Sequence, residues 1–273
     1  MQSEQPDTSP ATSNVVDMTL VVELADNAVD RYTDTLSEVA AALAVSDVET
    51  ARERLAPISG ELWTGRLSFA VSAGAGAPST TARNVSDRIR AQVFLRDGLR
   101  CTYCGGRAIP RCVLVAISDV FPESFAYDPH YGRGRIHPAF WAVAPEADHV
   151  LAHARGGAGE MDNLTTLHTT CNARKANLLV AELPVVVPAK EIPGWDGLLA
   201  EYAGTVAAGN THGKRHSAPG YHQRWSRYFE LQSLGSVFDP GLNATPLDDR
   251  LDEGLLPDEL YSSTLPSAPF VDR

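Results

Sequence analysis

Four residues in this chain stand at spacings that suit a metal. Cys101-x-x-Cys104, followed by Gly105-Gly106, is a tight turn able to aim two thiolates at one point. Far downstream, His168-x-x-Cys171 repeats the two-residue spacing with an imidazole in place of one thiol. Together they make a Cys₃His set suited to a tetrahedral structural Zn²⁺; a redox Cys-x-x-Cys, or two unpaired cysteines, is the alternative. Cys112 has no partner at ligand spacing and reads as a buried apolar residue. The second metal pair lies inside a longer polar series. This runs Asp148-His149-Val-Leu-Ala-His153-Ala-Arg155-Gly156-Gly157, then Asp162-Asn163-Leu164, then Cys171-Asn172-x-x-Lys175.

That ordered set resembles the HNH nuclease family, whose site is a ββα-metal unit. The matching parts are a strand ending in Asp148-His149, a Gly156-Gly157 turn, Asn163-Leu164 opening a second strand, and a helix that begins Cys171-Asn172-x-x-Lys175. Hydrolysing a phosphodiester needs an activated water, neutralised phosphate charge and a stabilised leaving oxygen. The resemblance implies that His149 is the general base and that Asn163 orients its imidazole. It implies that Asp148 and Asn172 bind one hard divalent cation, Mg²⁺ or Mn²⁺, and that Lys175 contacts phosphate. The last position of the motif is Asn172 where the family name has His, a variant the family also shows. An amide oxygen there favours hard cations. Around this set, Arg155, Arg174 and His153 are candidate phosphate contacts, and Glu146 is more readily a solvated strand carboxylate than a ligand. The resemblance spans residues 83–228, with Trp195 to Leu198 and Arg224-Trp225 similar to pieces of a bacterial HNH subgroup.

The implied substrate is DNA, read mainly through phosphates, with a homodimer or a regulatory protein as possible partners. Two other readings stay open. One is a zinc module that binds nucleic acid or protein without catalysis; the other is an RNase or DNase effector gated by a partner through residues 1–80. Against the first stands the presence of candidate base, orienting amide and both metal ligands together.

Elements must position these residues. The chain has 273 residues, is 44% hydrophobic and carries a net charge of -11, enough to bury a core and too little cysteine for a disulfide scaffold. The charge is uneven: residues 83–175 are mildly basic and the flanks acidic, so nucleic acid is not excluded. No run approaches the roughly 20 apolar residues of a membrane helix, and the first residues lack a basic start and apolar stretch. A cytoplasmic protein with reduced thiols is expected.

Periodicity predicts an amphipathic helix over 17–44, a second helix capped by Ser46 with Glu49 and ending at Leu55, and a third from Ser86 to Asp97-Gly98. Short strands are expected near Val150-Leu151 and over Leu164 to Leu167, with helices over 171–179 and 195–207. The expected class is α+β: a mostly helical chain around a small zinc-framed ββα core. The expected division is a disordered tail (1–16), a helical N-terminal region (17–69), a linker (70–82), and the nuclease domain (83–185). A C-terminal helical extension (186–238) and an acidic tail (239–273) complete it. Within the nuclease domain an aromatic and Pro-rich insert (105–145) is expected to pack its rings on the core, base stacking being the alternative.

Overall fold

The computed structural model describes residues 17–22, 24–65, 67–72, 85–152, 156–175, 192–213 and 220–231. The expected tails at 1–16 and 239–273 lie outside them. The architecture is α+β. Helices α1 (Ala28–Ala44), α2 (Val48–Leu55), α4 (Arg111–Val120) and α7 (Leu199–His212) form the core, and a short antiparallel ribbon, β3 (Pro145–His149) with β4 (Leu164–His168), carries α6 (Thr169–Lys175).

Helix α1 follows its apolar stripe, burying Tyr32, Leu36, Val39 and Leu43. It begins later than expected, at Ala28, because Asp17–Val22 instead forms strand β1, paired antiparallel with β2 (Leu67–Ser72). The β-branched and apolar run Thr19 to Val22 favours an extended chain over a helix. Strand β2 also takes residues 70–72 from the expected linker, whose remainder lies outside the described residues. Helix α2 is capped by Asp47, which accepts from Thr50 N at 3.0 Å, so the cap falls one residue after Ser46. Ser46 itself takes a left-handed φ of 61° to turn the chain out of α1.

Helix α3 (Asp87–Arg96) matches its expected limits, with Ser86 accepting from Ile89 N at 3.4 Å. Helix α4 lies inside the expected aromatic and Pro-rich insert, 105–145. Cys112 through Val120 are all buried, so α4 is the central rod of the core. α7 packs along α4 and crosses the end of α1. At that crossing a Cβ on Gly204 would lie 2.6 Å from Ala44 Cα, so only glycine permits it. Helix α8 (Tyr221–Tyr228) is docked by a buried relay: Asp119 Oδ2 to His222 Nε2 at 3.1 Å, and His222 Nδ1 to the Tyr202 hydroxyl at 2.7 Å. The Nε2–H tautomer satisfies both contacts. Cys112 is buried as expected, and burial pushes its thiol up to about 12.

The insert's rings pack inward, with Phe121, Phe125, Tyr131, Phe140 and Trp141 all buried. Trp141 belongs to the short helix α5 (Ala139–Ala142) and meets Trp63 at 4.9 Å and Tyr131 at 5.1 Å between ring centroids. His137 fastens this insert to the N-terminal region. Its Nε2 donates to Ile58 O at 2.8 Å and its Nδ1 accepts from Ala139 N at 3.1 Å. No helix among the described residues is long and apolar enough to cross a membrane.

Candidate active site

The first site residues converge through a knuckle. Gly105 has a left-handed φ of 74°, and its N–H donates to Cys101 O at 2.8 Å, closing the turn that brings Cys101 and Cys104 together. The knuckle is sewn to β4: Thr102 N donates to Thr166 O at 2.9 Å, and the Thr102 and Thr165 hydroxyls lie 2.8 Å apart. Strand β4 ends in His168 and α6 brings Cys171. The ligand atoms of Cys101, Cys104, His168 and Cys171 all lie within 4.8 Å of one another.

The donor set fits Zn²⁺, three sulfurs and one nitrogen. His168 is already set for it: Nε2 donates to the Arg107 carbonyl at 3.0 Å, leaving the Nδ1 lone pair facing Cys104 Sγ at 3.4 Å. Burial works against a charged Cys101, yet hydrogen bonds from Cys104 and Cys171 outweigh it and hold that thiol well below its ordinary value. The same bond pushes the Cys171 thiol up. One proton-sharing thiolate cluster is what a divalent cation would relieve by displacing the protons.

The second group is built on the ribbon. Asp148 pairs with Thr165 and His149 with Leu164, so β3 stops at His149. Val150 and Leu151, expected to be strand, form an exposed turn beyond it. Helix α3 supports the ribbon through Asp97, which accepts from Thr166 N at 2.8 Å, and through Arg96, which donates to Leu164 O at 2.6 Å.

The roles expected of individual side chains fare differently. Asn163 does not turn its amide to the imidazole. Its Oδ1 accepts from Leu151 N at 2.9 Å, and its Nδ2 donates to Leu151 O at 3.2 Å and Ala158 O at 2.8 Å. Both hydrogen-bonding groups of Leu151 face that amide, which outcompetes a single ring contact. Gly157 allows the close fit, since a Cβ there would stand 1.7 Å from Leu151 O.

Lys175 is not placed to meet phosphate. It is fully buried, with Nζ 2.6 Å from Asp148 Oδ2 and 2.8 Å from the His149 carbonyl oxygen. Burial pushes the Asp148 carboxyl above its ordinary value, and the neighbouring ammonium opposes that rise. Glu146 is no solvated carboxylate: it is clasped between Arg90, at 3.0 Å, and Arg111. Arg174 is exposed on α6 and Asn172 half-buried, whereas His153 and Arg155 lie outside the described residues.

Residues 138–178 match the family model of the HNH endonucleases. This HNH segment includes α5, the ribbon and α6, and marks a nuclease-type domain. The knuckle cysteines fall before it, so the Cys/His cluster reaches outside the matched span. No curated protein and no solved structure matches the chain.

The sequence reading missed two supports of the site. Arg107 orients His168 through a backbone carbonyl, which leaves no side-chain signature. Arg96 and Asp97 grip β4 from a helix end whose Asp-Gly reads only as a stop signal.

Proposed function

We propose that this protein is a metal-dependent HNH endonuclease that hydrolyses phosphodiester bonds in DNA. The observation that carries the reading is the ribbon end itself. Asp148 and His149 terminate β3 directly against α6, the helix that bears Asn172, and the matched HNH segment spans the whole arrangement. His149 takes a proton from the attacking water as general base. Asp148 and Asn172 offer oxygen donors of the kind Mg²⁺ or Mn²⁺ takes, and such a cation when bound would neutralise the phosphate and the leaving oxygen. Arg174, exposed one residue before Lys175, contacts phosphate. Asn163 serves the site by shaping the turn after His149. The Cys101, Cys104, His168 and Cys171 set holds Zn²⁺ as a frame outside the chemistry. One active site cuts one strand, so a double-strand break needs two protomers or two successive nicks.

The test is plasmid nicking by the zinc-loaded chain in Mg²⁺, Mn²⁺ or EDTA, with His149→Ala alongside and zinc measured on the same sample. Metal-dependent nicking that the substitution lowers by about 10²- to 10⁴-fold is expected. Equal nicking by both proteins would remove His149 from the role. A second reading is favoured by one observation, the ammonium of Lys175 resting on Asp148. A carboxylate already neutralised suits a nucleic-acid-binding module that does not cut. That module would retain DNA binding, show no nicking in any metal and be indifferent to His149→Ala.

A further inference from the structure

We propose that Lys175 is a positioning residue: its buried ammonium, paired with Asp148, sets how tightly that carboxylate takes a divalent cation. The inference rests on the reading of Asp148 as a metal ligand.

Lys175 has no exposed surface, so its ammonium cannot reach a phosphate in solution. A buried ammonium is tolerated only when paired and hydrogen-bonded, and both conditions are met by adjacent residues at the end of β3. One partner is the Asp148 carboxylate at 2.6 Å and the other the His149 carbonyl at 2.8 Å. Lys175 lies on α6 one turn after Cys171, so this contact fastens the helix to the two residues that the proposed chemistry uses.

The pair has an electrostatic consequence. The Asp148 carboxylate faces the Lys175 ammonium before any cation arrives. Once a divalent cation approaches, the same ammonium repels it, and a double charge feels twice the repulsion a single one does. The paired ammonium offsets part of the attraction that Asp148 offers a cation, so removing its charge should tighten cation binding. Arg174, next to it and exposed, carries no such pairing to Asp148 and is left to meet the backbone of DNA.

The probe is Mn²⁺ alone, its free concentration read by electron paramagnetic resonance. It is titrated into the zinc-loaded full chain at one fixed, mildly alkaline pH. Lys175→Gln keeps a donor toward Asp148 but removes the charge, Lys175→Met removes both, and Lys175→Arg keeps the charge. The two uncharged variants should bind Mn²⁺ about ten-fold or more tightly than wild type, with Lys175→Arg within about three-fold of it. Unchanged or weaker binding in folded Lys175→Gln overturns the proposal, because a merely structural lysine gives no gain on removal. Asp148→Asn is the separate control. If it leaves the wild-type isotherm unaltered, the reading of Asp148 as a ligand has failed rather than the role of Lys175. If the uncharged variants do not fold, the ¹⁵N-labelled wild type decides. The Lys175 ammonium resonance should shift as Mg²⁺ is added, and a resonance that stays fixed while the metal binds overturns the proposal.

Discussion

Helix α6 is fastened to the β3–β4 ribbon at two points, by different means. Near its start, Cys171 joins His168 and the knuckle cysteines, and four ligand atoms converge within 4.8 Å. One turn on, Lys175 reaches back to Asp148 and His149, a cation supplied by the chain itself. Both points gather negative or electron-rich groups that would repel one another without a positive charge among them. The four-ligand cluster could be closed by an external cation such as Zn²⁺, which would leave no open position. The other point is held by an internal cation, the Lys175 ammonium. On the proposed reading a closed frame and an adjustable site sit about one helical turn apart, and rigidity at the first lets the second be adjusted without loss of the fold.

The largest effect that separates the two points is on folding. Zinc binding in small closed sites is worth on the order of 10 kcal/mol and is coupled to folding, so Cys171→Ser or removal of zinc by a chelator should melt the ribbon unit. Thermal denaturation followed by circular dichroism would show a large drop in Tm, or an early separate transition. His149→Ala, by contrast, should lose nicking while its Tm stays close to wild type. Comparable losses of Tm from both substitutions would break the distinction between frame and site.

Next in size is Gly157→Ala. The new methyl would lie 1.7 Å from a backbone oxygen that cannot swing away, so the turn must open. A destabilisation of about 2–3 kcal/mol is expected in urea unfolding, with the three hydrogen bonds of Asn163 lost along with the turn. Asn163→Ala should reproduce much of that loss. If Asn163→Ala alters only the pH profile of nicking and leaves stability untouched, the amide serves the imidazole after all.

These contrasts also mark what could be read from residue order. The four-ligand cluster was legible because ligand spacing is local: two residues between Cys101 and Cys104, and two between His168 and Cys171, force each pair onto one side of a turn or helix start. Strand β4 and α6 lie near their expected places, whereas β3 ends at His149, as the resemblance implied, and the strand expected at Val150-Leu151 is a turn. Helix α4 was not, since the run Cys112-Val-Leu-Val-Ala-Ile-Ser-Asp-Val120 is apolar on every side and a helix buried all round has no period to detect. Nor were the partners of polar side chains. Asn163 can bond a ring or a backbone with equal chemical ease, and the choice is made by where Gly157 lets the chain pass. The burial of Lys175 depends on β1 and the ribbon lying against α6, which is a property of the assembled fold.

A third region supplies a control lying at neither point of α6. His137 joins the insert to the 3₁₀ turn at Ala56–Ile58, and burial pushes its imidazole down to about 4. The neutral form is required because Nδ1 must accept from Ala139 N–H. In the unfolded chain the imidazole takes a proton near pH 6.5, so the folded state binds fewer protons between about pH 6.5 and 4. The stability from this group is therefore complete above that window and is lost as pH falls through it, by at most about 3 kcal/mol. Urea midpoints across the window should fall, and the fall should shrink in His137→Gln. Zinc content at the upper end of the window should be unaffected, which separates this loss from release of the metal.

The smallest expected effect lies at the rim of the adjustable site. Arg174 and Lys175 are neighbours in sequence, yet one is exposed and the other fully buried. If the exposed one alone meets the DNA backbone, Arg174→Ala should reduce the slope of log affinity against log salt by about one and weaken binding a few-fold at low salt. Its Tm and its Mn²⁺ affinity should not move. Lys175→Gln should do the reverse, shifting Mn²⁺ affinity and leaving the salt slope alone. A salt slope that responds to Lys175 and not to Arg174 would mean that the buried ammonium leaves Asp148 when DNA binds. The internal cation would then be a substrate contact in the bound state, and the comparison between a closed frame and an adjustable site would have to include a moving lysine.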